Sequence, residues 1–335
     1  MTLDFDTFLV ALYTIVDDLY REFAADARGH RPGTKPVMHD SEVLTLAILG
    51  HWTGRKENAL IRYAREHWRA YFPRLLDQSA FNRRVRDLTG LMMHLIPRVA
   101  AKLGAEFAAY QVFDGVPVPL MARCRGREHR LFGDEAGIGR GGSDRAWYYG
   151  CHLLVAVTKE GIITGFVVGA AQTEGHWLAE DILCWRRDPT LAPWTPDTEG
   201  VRKHNGCKMA PIGRIWGRNS AGYASAAPYI VDGGFRGELW IPHWLQDYRA
   251  LVYTPDLLSA DKDSAVRRQH SGWRQIIEAV NGQLKECFHL DFPGARSMWG
   301  LLARLAGKLL ALNLGVWLNR LFGRDPLAFA TLFNS

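Results

Sequence analysis

Two acidic residues sit where a strand should be apolar. Asp114 lies in "VFDGVPV", flanked by Phe113 and Val116, and Asp232 closes "PYIVD" just before Gly233 and Gly234. A carboxylate within or at the end of an apolar strand is partly desolvated, which is costly unless a partner or a metal compensates it. A third acid, Glu278, stands in "SGWRQIIEAVNGQLK". At about 100° per residue, Arg274, Glu278, Asn281 and Lys285 share a narrow arc, with Trp273, Ile276, Ile277, Val280 and Leu284 opposite. By itself this stripe is ordinary surface helix, and Arg274 with Glu278 fits an i,i+4 ion pair. If Asp114 and Asp232 occupy neighbouring strands and the helix packs across them, three like charges meet, and cations must offset them. Hard carboxylate oxygens suit Mg²⁺ or Mn²⁺. A pair of such ions about 4 Å apart activates a water or hydroxyl and stabilises the leaving oxygen of an in-line phosphoryl displacement. The expected chemistry is cleavage or transfer of a nucleic-acid strand.

The rest of the composition agrees with a polyanionic partner. The chain carries 41 Lys and Arg against 35 Asp and Glu, a net charge of +6, which leans toward a polyanionic partner. Arg123, Arg125, Arg127 and Arg130 crowd "MARCRGREHRLFG" just after Asp114 and offer bidentate phosphate contacts; a solvated basic loop reads the same way. Hydrophobic residues make up 47% of the 335, enough for a sizeable core and for two domains.

The elements that must position these residues fall into two regions. Residues 1–105 read as helices throughout: "FDTFLVALYTIVDDLYREF", "DSEVLTLAILGHW", "ENALIRYAREHWRAYF" ended by Pro73, and a fourth helix from "LDQSAFNRRVRDL" onward with Ser79 as its N-cap. Arg83 and Arg86 at the start of that fourth helix, after short turns, suit a helix-turn-helix that presents them to DNA; a plain helical bundle with a basic face is the other reading. From 106 to 335 the pattern turns to strands and helices, predicting an α/β layer fold, a mixed sheet flanked by helices. Its strands are "YQVFDGVPVPL", "YYGCHLLVAVT" and "GIITGFVVGAA" joined by the hairpin turn "KEG", then "PYIVDGG" and "ALVYTP". Its helices are "GHWLAEDILCWRR", "RGELWIPHWLQDY", the stripe helix and Met298 to Phe322. Residues 188 to about 227 read as a long loop or insert, and "GIGRGG" as a flexible loop.

Taken in order, "VFDGVPV", "YYGCHLLVAVTKEGIITGFVV", "YIVDGGFRG" and "RQIIEAVNGQLK" resemble the DDE transposases of bacterial insertion sequences. "SEVLTLAILG" and "YFPRLLDQSAFNRRVRDL" are similar to the helical leader of one such group. The family signature is Tyr, two residues, Arg, three residues, Glu, six residues, Lys; Arg274, Glu278 and Lys285 keep that spacing, with Ser271 at the Tyr position. Phe235 likewise stands where the family has Tyr after the second acid. The resemblance implies a ribonuclease H-like catalytic domain after an all-α DNA-binding domain, with Asp114, Asp232 and Glu278 as ligands to two Mg²⁺ or Mn²⁺ ions. It also implies that Arg274 and Lys285 contact DNA, and that hydrolysis at the terminal inverted repeats exposes a 3′ hydroxyl that attacks target DNA, within a homodimeric synaptic complex. A metal-dependent nuclease without strand transfer, or a retired transposase that only binds DNA, fits the same residues.

Other constellations are weaker. Cys124 with His129, and His204 with Cys207, are half-sites at best for zinc, and no Gly-x-Ser-x-Gly elbow is present. Five unpaired-looking cysteines and an acidic start, with Asp4 and Asp6, predict a cytoplasmic protein without a secretory signal. "LLARLAGKLLALNLGVWL" carries Arg304, Lys308 and Asn313 and reads as a buried helix rather than a membrane span.

Overall fold

The computed structural model describes residues 3–28, 36–121, 132–141, 146–187, 227–235, 237, 239–255 and 264–332. The four arginines of the 123–130 segment, both zinc half-sites and the 188–226 insert lie outside them.

Among the described residues, five helices open the chain: α1 (Phe5–Arg28), α2 (Asp40–Trp52), α3 (Glu57–His67), α4 (Gln78–Asp87) and α5 (Thr89–Lys102). Two boundaries differ from expectation. The third helix ends at His67, because Trp68 and Phe72 are both buried and the chain turns back to seat them, Trp68 stacking on Phe5 at 5.2 Å. The expected fourth helix is two helices broken at Leu88, and its cap is Asp77, whose Oδ1 accepts from the Ala80 N–H at 2.7 Å. Ser79 instead donates its hydroxyl to Asp77; a carboxylate one residue before the helix is the better acceptor for free N–H groups.

The sheet contains β1 (Gln111–Met121), β2 (Gly137–Gly141), β3 (Ala146–Thr158), β4 (Ile163–Ala170), β5 (Tyr229–Ile230) and β6 (Val252–Tyr253). β1 is central, with β3 antiparallel on one side and β5, then β6, parallel on the other. The far edge of β3 carries β2 along one half and β4 along the other. The "KEG" hairpin joins β3 to β4 as expected. "GIGRG" forms strand β2 rather than a flexible loop: an added Cβ at Gly139 would lie 2.6 Å from the Ala171 carbonyl oxygen, so glycine permits the close approach. Two further helices follow, α6 (Gly175–Arg187) and α7 (Trp240–Tyr248), joined by Glu180, which accepts from Trp244 Nε1 at 2.6 Å and from the Tyr248 hydroxyl at 2.5 Å. The chain then continues into α8 (Ser264–Glu286) and α9 (Met298–Leu321).

Arg186 of α6 is buried and ties three strands together. It donates to Gln111 Oε1 of β1 at 3.0 Å, to Thr164 Oγ1 of β4 at 2.8 Å and to the Tyr229 hydroxyl of β5 at 3.0 Å.

By compactness the chain forms two units that do not follow a single cut at 105/106. One gathers Met1–Ile96, Gln283–Leu290 and Trp299–Ser335; the other gathers Pro97–Gly282 and Asp291–Met298. The first division falls at Pro97, inside α5, where proline cannot supply the usual i→i−4 hydrogen bond. α9 belongs with the opening helices because it is apolar on nearly all sides and buried there. It is long and apolar enough to span a membrane, yet mostly buried in the protein, as a core helix is. Its polar residues are used inside that unit: Lys308 donates to the Phe288 carbonyl, and Asn313 Nδ2 to the Ile96 carbonyl at 3.3 Å. Burial, with the charge of Arg304 adding to it, lowers the Lys308 ammonium to about 8.

Candidate functional site

Asp114, Asp232, Arg274, Glu278 and Asn281 all lie in the sheet unit. Asp114 is in the middle of β1, on the face that also carries buried Val112, Val116 and Val118. The residue after it is Gly115, where an added Cβ would lie 2.1 Å from His152 Nε2 and force that ring to shift. β5 runs parallel to β1 with Gln111 opposite Tyr229 and Val112 opposite Ile230. Two residues further on each chain stand Asp114 and Asp232. Side chains two apart share a face and adjacent strands are about 4.8 Å apart, so the two acids are brought to one level of the sheet.

Asp232 is held by the turn that follows it. Its Oδ1 accepts from the Gly234 N–H at 2.9 Å, an Asx turn, and a side chain at Gly234 would press on that same oxygen. Both strand acids are partly buried, whereas Glu278 on α8 is exposed. Asn281, one turn after Glu278, donates from Nδ2 to Asp114 Oδ2 at 2.9 Å and so links α8 to β1.

The electrostatics single out Asp114. Burial pushes its carboxyl up to about 6; the Arg274 guanidinium and the Gly115 backbone N–H pull it down, while Asp232 and Glu278 push it further up. The first strand acid therefore feels both other acids and the arginine of the stripe. Two polar atoms of its neighbours on α8, Arg274 Nε and Asn281 Oδ1, are buried without a hydrogen-bond partner among the described residues. In kind, this donor set of three carboxylates and a carboxamide oxygen fits a hard divalent cation. As the side chains stand, no three His, Cys, Asp or Glu among the described residues are gathered closely enough to hold one.

The other expected contacts divide. Lys285 is half-buried and falls in the helical unit. Arg83 and Arg86 are exposed on α4; between them Arg84 turns inward to pair with Asp40. Asn281 was legible only as one more polar residue of the stripe. Its place in the arc with Glu278 was the available signal, and a neutral amide on a helix gives no hint of a buried carboxylate partner.

No protein-family model matches the chain, and neither a curated protein nor a solved structure matches it.

Proposed function

We propose that the protein is a DNA transposase of the DDE type, cutting DNA at element ends and joining the cut strand to target DNA. The observation that supports this reading is that Asp114 on the central strand feels the charge of two acids distant in sequence: Asp232, two residues past the parallel neighbour, and Glu278, on the helix that Asn281 ties to that strand. The strand order, antiparallel on one side of β1 and parallel on the other, supports a ribonuclease H-like sheet.

Asp114, Asp232 and Glu278 would hold Mg²⁺ or Mn²⁺, which when bound supplies activation of the attacking oxygen and charge stabilisation at phosphorus. The chain's own residues do the rest. β1 and β5 set the two strand acids at one level, and α8 supplies the third from an exposed position that leaves room for side-chain movement. Arg274 provides positive charge at Asp114. The exposed Arg83 and Arg86 of α4 supply phosphate contacts. DNA, with a second copy of the chain in the synaptic complex, is the partner this reading requires.

A second reading, a DNA-binding protein without cleavage, is favoured by the open spacing of the acids. Glu278→Gln separates the two. Under the first reading it stops Mg²⁺-dependent nicking of supercoiled plasmid and leaves DNA affinity equal or tighter, since a negative charge near phosphate is removed. Unchanged nicking by Glu278→Gln, or no metal-dependent nicking by the unmodified protein, would remove catalysis from the proposal. Joining of a labelled cut end to a second duplex distinguishes transposase from nuclease.

A separate expectation concerns α4. Arg83→Ala and Arg86→Ala should each weaken DNA binding and lower the slope of log affinity against log salt by roughly one unit. Being exposed, they should leave stability within about 0.5 kcal/mol. A salt slope identical to that of the unmodified protein would show that α4 does not touch DNA.

A further inference from the structure

Asn281 is the neutral member of an otherwise charged stripe, and its two ends are in different situations. Nδ2 donates to Asp114 Oδ2 at 2.9 Å, which fixes the orientation of the amide, because the flipped group would set oxygen against oxygen. Oδ1 is thereby committed as the acceptor end. That atom is buried and has no hydrogen-bond partner among the described residues, and a buried acceptor left unsatisfied is destabilising. A donor from outside the described residues is therefore called for at this atom, and a water molecule is the smallest that fits.

We infer that Asn281 is a positioning residue for a divalent-cation site: its amide N–H holds the Asp114 carboxylate in place, and its oxygen accepts a hydrogen bond from a water in the cation's shell. The inference rests on the cation-binding part of the function proposed above. Carboxylates that bind metals are themselves held by hydrogen bonds, and loss of such a bond typically costs about 10–100-fold in metal affinity. A neutral amide is suited to this task where a lysine or arginine is not, since it orients the carboxylate without competing with the cation for its charge. Its bond also anchors the helix turn that carries Glu278, so one side chain places both the first acid and the third.

The test uses the full-length protein and metal alone. Mn²⁺ affinity is measured by electron paramagnetic resonance for the unmodified protein, Asp114→Asn and Asn281→Ala, with circular dichroism to verify folding. In parallel, Mg²⁺ is titrated into unmodified protein labelled with ¹⁵N-asparagine while the side-chain amide signal of Asn281 is followed. Asp114→Asn should abolish binding, Asn281→Ala should weaken it about 10–100-fold, and Mg²⁺ should shift the Asn281 amide signal. If Asp114→Asn binds Mn²⁺ as well as the unmodified protein does, the underlying cation site falls, and this inference with it. If Asp114→Asn abolishes binding but Asn281→Ala does not weaken it, or the Asn281 signal ignores Mg²⁺, the cation site stands and the role of Asn281 is overturned. Should Asn281→Ala fail to fold, the amide signal of the unmodified protein decides alone.

Discussion

Asp114→Asn is expected to abolish metal-dependent cutting and, in the absence of metal, to make the protein more stable above neutral pH. Burial raises the Asp114 carboxyl from 3.8 to about 6, against the pull of Arg274 and with the push of Asp232 and Glu278. The sign follows from linkage: the fold favours the protonated form, so this group's contribution to stability is fully present below about pH 4 and is lost as pH rises through about 6. A shift of roughly two units corresponds to about 3 kcal/mol. Asparagine removes the ionisation and can still accept from Asn281 through its own oxygen. Urea unfolding of the metal-free proteins should therefore show a gap of up to about 3 kcal/mol in favour of Asp114→Asn at pH 8, closing by pH 4. A gap that does not depend on pH, or retained cutting, would contradict the place given to Asp114. Loss of cutting with a gain in stability is the signature of a residue kept for chemistry.

The second large effect is expected in the helical unit. Asp40 is buried at the start of α2 and accepts from the Tyr20 hydroxyl at 2.9 Å while pairing with Arg84 of α4. Beside it Ser41 donates to Asp17 Oδ1 at 2.6 Å. Asp40→Ala leaves a mostly buried guanidinium and a phenol without their acceptor, and breaking such a pair costs about 3–5 kcal/mol. Arg84→Ala should cost less alone, because Tyr20 still satisfies one carboxylate oxygen. In chemical denaturation, the double variant should be more stable than the sum of the two single losses implies, by about 0.5–3 kcal/mol. Strict additivity would mean that the two side chains do not act as a pair.

What could be read in advance follows from how each residue departs from its surroundings. Asp114 and Asp232 stood out because an acid in an apolar strand is costly, and Glu278 because its spacing from Arg274 and Lys285 gave it a pattern. The strands β3 and β4 were visible as apolar, β-branched runs around a turn. β2 was not, because its glycines serve close packing against Ala171 and Gln172, and glycine without its packing partner reads as a loop. Asp77 and Ser79 are both good caps, and only geometry shows which one the helix uses. The pairing of Arg84 with Asp40 was hidden for a different reason: among three arginines in four positions, the inward one cannot be told from its neighbours without knowing which face of α4 meets α2.

The buried Arg186 bears on the order in which the molecule assembles. β1 to β4 follow one another along the chain and pair among themselves, whereas β5 comes from far downstream and contributes only two residues to the ladder. Pairings so distant in sequence carry the loop-closure cost that slows folding. So short a strand is also weakly protected against slipping, and a shift of one residue would turn Asp232 to the opposite face. Arg186 supports that register from the side, bonding Gln111 and the Tyr229 hydroxyl together where those two residues lie opposite each other. The arginine thus acts as a clasp on the strand alignment that brings Asp114 and Asp232 to one level of the sheet.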